Sequence, residues 1–155
     1  MKLQPSNSLL LVRIPGAVCG LMVCDVIETM RPLPVEPLAN MPDFVRGITL
    51  IRGAAVPVIE LAAVFDGHSS APVARFVAVR AGERCVALAV ESVIGVTELD
   101  QSRFEDLPPL LKSARTEAIQ AIGTLDAELL VLLRASRLVP EAVWKNLDRR
   151  EAAAQ

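Results

Sequence analysis

Short apolar runs, each about the length of a β-strand and each closed by turn residues, succeed one another along most of the chain. They are rich in Val, Ile and Leu, which fit a pleated and largely buried surface. Leu9–Ile14, Val18–Val23, Val45–Ile51, Ala55–Ile59, Arg75–Val79, Cys85–Val90, Val93–Thr97, Ala121–Leu125 and Leu129–Leu133 read as strands. Pro15-Gly16, Arg52-Gly53, Ala81-Gly82 and Asp126-Ala127 fall between consecutive runs and read as hairpin turns, the glycine-bearing ones most clearly. With almost no long helical periodicity, this pattern predicts a mostly β chain.

Two stretches break the rhythm. Arg31–Pro42 (RPLPVEPLANMP) carries four prolines, which lack a backbone donor and cannot sit in a central strand. Asp100–Glu117 is polar, includes Pro108-Pro109, and predicts at most a helical turn near Leu110–Arg115. Pro140 suits the first position of a helix, and Val143, Trp144 and Leu147 then share one face, so a C-terminal helix should pack on the β-structure. The chain thus divides into a tail over 1–8, a β unit over 9–139, and a helix with a frayed tail over 140–155.

The β unit repeats itself. Leu9–Ile27 falls on Phe76–Ile94 without a gap at an offset of 67, placing Val12-Arg13 on Val79-Arg80 and Val26-Ile27 on Val93-Ile94. At an offset of 74, Gly47-Ile48 and Arg52-Gly53 fall on Ala121-Ile122 and Asp126-Ala127. One half alone makes only a marginal core. The repeat therefore predicts two pseudo-symmetric, five-stranded β-barrels sharing an apolar seam.

Composition removes most chemistries. The chain has 155 residues, 52% of them hydrophobic, and 16 basic against 18 acidic residues give a net charge of −2. Mean hydropathy is +0.43 in a 16.6 kDa chain, enough to fill a core. The charge balance and the scarcity of aromatics (Phe 4, Trp 1, Tyr 0) argue against nucleic acid as a partner. His68 is the only histidine, Cys19, Cys24 and Cys85 show no C-x-x-C spacing, and no phosphate-cradling glycine motif occurs, so neither catalysis, a metal nor a cofactor is expected. Arg13 and Pro15 break the apolar stretch Leu9–Cys24, and nothing approaches the ~18 residues of a membrane span. A soluble, cytoplasmic binding module is the expectation.

Its candidate surface is the tip Arg52-Gly53, because the planar fork and apolar stem of arginine serve polar and packing contacts alike. The surrounding stretch Phe44–Leu61 resembles the signature of CheW-like chemotaxis coupling proteins, approximately G-[VI]-x-N-L-R-G-x-x-x-P-[VI]-[VI]-D-L. Gly47, Arg52, Gly53, Pro57, Val58, Ile59 and Leu61 match it. Val26-Ile27-Glu28 resembles the family's V-x-E segment, Pro42-x-Phe44 follows the proline-rich loop, and Val86–Val93 resembles V-G-x-x-V-D-x-V. Leu129–Leu138 is similar to the final strand and turn.

The resemblance spans Leu9 to Val139. It implies two SH3-like barrels and a non-catalytic adaptor that bridges a CheA-type histidine kinase to the cytoplasmic tips of chemoreceptors. It also implies that Glu28 lies near Arg52 and could orient it, with Gly53, Val26, Ile27 and Ile48 completing a partner surface. Leu50 stands for the signature Asn, Glu60 and Glu91 for Asp, Ala87 for Gly, and Arg134 for a final-strand Asp. These departures suit a divergent member. A non-flagellar chemosensory pathway, or a barrel that senses a small molecule or peptide, remain alternatives.

Overall fold

The computed structural model describes residues 7–66, 72–105 and 117–153, with no account of the side chains of 151–153. His68 and the expected turn near Leu110–Arg115 lie outside them. The apolar runs become β1 (Ser8–Ile14), β2 (Ala17–Met22), β4 (Val45–Ile51), β5 (Ala54–Glu60), β6 (Arg75–Ala81), β7 (Arg84–Val90), β8 (Ser92–Glu98), β10 (Ile119–Leu125) and β11 (Glu128–Leu133). Two further strands, β3 (Val26–Met30) and β9 (Phe104–Glu105), and a short helix α1 (Leu61–Asp66) were not expected from the pattern. The C-terminal helix is α2 (Glu141–Ala153).

Each hairpin turn follows from its residues. Pro15 with Gly16 at φ 82 makes the proline-then-glycine turn, and Gly82 at φ 69 leads the β6–β7 turn, one residue later than expected. Arg52-Gly53 (φ 53 and 82) and Asp126-Ala127 (φ 48 and 67) are both left-handed at their two central residues, the geometry that matches the twist of paired strands.

The repeat is real in three dimensions, but the halves are exchanged. One sheet has the order β8-β1-β2-β11-β10-β9 and the other β3-β6-β7-β5-β4. The hairpin β1–β2 of the first half thus lies among strands of the second, and β6–β7 of the second half lies among strands of the first. Parallel pairs join the halves, with Leu132 opposite Gly20 in one sheet and Val58 opposite Ala87 in the other, the same pair under the two offsets. Bulges recur too. The ladder slips across Ile27 in β3 and across Ile94 in β8, and again between Val45 and Gly47 in β4 and between Ile119 and Ala121 in β10.

The two pseudo-symmetric five-stranded barrels expected from the repeat are therefore corrected to two open sheets of six and five strands, each built from both halves. Among the described residues neither ladder closes. The outer edge of β4 is covered instead by the proline-rich segment, whose Glu36 exchanges backbone bonds with Ile48 at 2.8 and 2.9 Å. Pro34 and Pro37 flank Glu36 and offer no N–H, so this pairing cannot grow into a strand.

The largest core lies between the sheets and includes Val12, Leu21, Val79, Leu88 and Leu133. A smaller cluster fills the other face of each sheet, around Leu9, Leu11 and Leu132 in one and Val56, Val58 and Phe76 in the other. The central strands are buried on both faces, which is why their sequences are continuous apolar runs. Val143, Trp144 and Leu147 of α2 join the large core, as the shared face predicted.

Candidate functional site

The site begins with the conformation of one turn. A left-handed backbone suits glycine and disfavours side chains by about 1–2 kcal/mol per residue, yet Arg52 occupies it at φ 53. The hairpin geometry is imposed by β4 and β5, which pair from Val45–Ile59 to Ile51–Ala54. Gly53 takes the second left-handed position at φ 82 without strain. The guanidinium consequently stands clear of the sheet, with 79% of its side chain exposed.

Glu28 meets it from β3. The bulge at Ile27 sets Glu28 opposite Ala78 of β6 and turns Ile27 outward, 47% exposed. The carboxylate accepts from Arg52 Nε at 2.8 Å and from Nη2 at 3.3 Å, a two-point fork that fixes the plane of the guanidinium. The hydrogen bond from Arg52 holds the Glu28 carboxyl below its usual range, and the same bond raises the Arg52 pKa. The pairing that the sequence suggested is present.

The apolar candidates are scattered. Val26 and Ile48 are partly buried against the central core, so only Ile27 offers substantial apolar surface. Leu50, in place of the signature Asn, is 67% exposed two residues before Arg52. It is an exposed apolar neighbour of Arg52 that the surface expected from the sequence did not include, and the departure from the signature was its signal. Gly47 has a structural role, since at φ 144 a Cβ there would lie 2.0 Å from the Glu36 carbonyl oxygen. Thr49 adds a bond from its hydroxyl to the Pro34 carbonyl at 2.7 Å, clamping the proline-rich segment beside the site.

Glu60, the signature's acidic position, is only 5% exposed. Its Oε2 accepts from Arg46 Nε at 2.9 Å, while Oε1 is buried without a hydrogen-bond partner. At the pseudo-equivalent positions of the other half, Arg134 is exposed and Asp126 replaces Arg52. Gly95 stands where Glu28 would be. The Arg52–Glu28 pair thus has no counterpart at the equivalent positions of the other half, Asp126 and Gly95.

A CheW-like domain model matches residues 8–143. The chain belongs to the CheW-like domain family. It is 30% identical over 131 residues to the chemotaxis protein CheW of Klebsiella aerogenes, covering 83% of this chain and 79% of that protein. It is 24% identical over 140 residues to a probable chemotaxis protein CheW of Rhizobium etli, covering 89% and 90%. The crystal structure of the scaffolding protein TtCheW from Thermoanaerobacter tengcongensis superposes with a TM-score of 0.71 at 23% identity, covering 83% of this chain and 89% of that one. That likeness shows the shared fold.

Membership makes the chain a non-catalytic chemotaxis scaffold domain rather than an enzyme. Burial pushes the Cys19 thiol up to about 12 and raises Cys85 as well, so neither is a nucleophile near neutral pH. Among the described residues no cluster of His, Cys, Asp and Glu could hold a metal ion, and no helix is long and apolar enough to cross a membrane.

Proposed function

We propose that this domain acts in the cytoplasm as an adaptor, coupling the cytoplasmic tips of chemoreceptors to a CheA-type histidine kinase. The Arg52–Glu28 tip is the partner surface, with Gly53 shaping the turn, Ile27 and Leu50 beside it, and Val26 and Ile48 supporting it from the core. One observation carries the reading: an arginine held in an unfavourable backbone conformation, four-fifths exposed, with its fork aimed by a carboxylate. Strain of this kind clusters at functional sites, and at Arg52, unlike the apolar Ala127, it coincides with an aimed polar side chain. An arginine already oriented loses less freedom on binding.

The work of such an adaptor is geometric. Holding a kinase and a receptor together raises their effective concentration and fixes their relative placement. Signal then passes as a coupling free energy between the two bound surfaces. Whether the pathway serves flagella or another response depends on which receptors are captured.

The test is reconstitution. Immobilised receptor tips should retain a CheA-type kinase when the chain is added and should retain much less without it. Kinase retained equally in both cases would refute the adaptor role.

A further inference from the structure

Between α2 and the core-bearing face of β4, β5 and β7 the structure leaves a groove of about 440 Å³. Its walls are apolar: Leu38, Ile48, Ala55, Pro57, Trp144 and Leu147. Volumes of this order, apolar with a few placed polar groups, are those of small-molecule sites. The partner surface proposed above lies at the β4–β5 tip and shares only the supporting residue Ile48 with this groove.

The charges at the rim decide what the groove would accept. Arg84 is already engaged, donating to both oxygens of Asp148 at 2.9 Å and lying 4.6 Å from the Trp144 ring centroid. Asp148 is thereby neutralised, and the Arg84 bond holds its carboxyl below the usual range. Arg150 differs. Its Nε donates to the Asn146 side chain at 3.0 Å and its Nη2 to the Ala39 carbonyl, both uncharged acceptors. Among the described residues no carboxylate pairs with it. Among the described residues, one half-buried positive charge therefore faces the groove without a counter-charge. An apolar cleft with a single uncompensated guanidinium at its rim is complementary to an apolar body carrying one negative group.

We propose that this groove binds a small amphipathic anion, its apolar body along Pro57, Ile48 and Leu147 and its carboxylate or comparable head at Arg150. The site unites α2 with segments about a hundred positions earlier, so it exists only in the folded chain.

Trp144 supplies the readout. It is the only tryptophan, and the chain has no tyrosine, so intrinsic fluorescence reports the groove wall directly. The intact chain is titrated with sodium decanoate, decanol and decyltrimethylammonium below their micelle thresholds, with stoichiometry from calorimetry. The expected result is a saturable, one-to-one change with decanoate, weaker with decanol and weakest with the cation. Ala55→Phe fills the groove from the exposed start of β5 and should weaken decanoate at least ~tenfold with melting unchanged; Ala55→Leu tests the same point with less bulk. Arg150→Gln should bring decanoate within about twofold of decanol. Unsaturable binding, equal affinity for the cation, or affinity unchanged in folded Ala55→Phe or Ala55→Leu would overturn the proposal. The assay uses neither kinase nor receptor, so a failed adaptor reading leaves it standing.

Discussion

Arg52 and Ala127 occupy left-handed positions in the two equivalent hairpin tips, and they explain different things. Arg52 gains a bidentate carboxylate and an exposed fork from its position. Ala127 at φ 67 gains nothing that the structure shows, so Ala127→Gly should stabilise the fold by about 0.5–1 kcal/mol. Differential scanning calorimetry should register a rise in Tm of about 1–4 °C. Glu60 is a second residue whose sequence and environment conflict, a buried carboxylate with one oxygen unsatisfied. Arg46 can turn to water, since its side chain is 38% exposed. Glu60→Met, similar in length and apolar, should therefore leave Tm unchanged or raise it; a fall of several degrees would show that the carboxylate contributes more than its single bond. The Arg52–Glu28 pairing was legible in the sequence because both residues sit in recognisable motifs. The exposure of Leu50 was legible only as a departure from one, and its 67% required the structure.

Elements were readable where they are buried on both faces. Strands β2, β5 and β7 are continuous apolar runs, whereas β3 mixes Val26 and Ile27 with Glu28 and Thr29 over five residues and gives no such signal. The helix α1 was hidden by the same apolar character, since Leu61–Phe65 resumes the apolar run of β5 after the single residue Glu60. The proline-rich segment was correctly excluded from any central strand, but its role as the cover of β4 could not be read from composition. Gly47 makes that cover possible. Gly47→Ala would drive a Cβ against the Glu36 carbonyl, and neither backbone can move without breaking the Glu36–Ile48 bonds. The expected loss is about 1–3 kcal/mol, seen as a lower urea midpoint. Because the segment flanks the candidate site, partner affinity should fall with it.

At the scale of the whole molecule, the internal repeat was visible but the exchange of its halves was not. A hairpin presents the same apolar alternation whether it pairs within its own half or with the other, so the arrangement shows only in the pairs between halves, parallel β2–β11 and β5–β7 and antiparallel β1–β8 and β3–β6. Each sheet needs both halves, and residues 1–71 expressed alone should show no cooperative unfolding. A sharp thermal transition in that fragment would contradict the exchanged topology. The charge pairs also act together. Glu28, Asp100, Glu128 and Asp148 are all held below their usual carboxylate range by hydrogen bonds in the fold, from Arg52, Ser102, Arg13 and Arg84 respectively. The folded state thus binds fewer protons than the unfolded chain. Their contribution is complete above the ordinary carboxylate pKa and is lost as pH falls through the lowered values, so Tm should decline steadily on acidification below that range. The proposed adaptor role rests on Arg52 more than on any of these. Alanine at position 52 keeps the left-handed strain and removes only the fork, which makes Arg52→Ala the cleanest probe. Calorimetric titration of this variant with kinase and with receptor tips, beside its melting curve, should show an unchanged Tm and roughly tenfold or greater loss of affinity for at least one partner. Wild-type affinity for both partners would contradict the account and return Arg52 to a solvated residue on a turn.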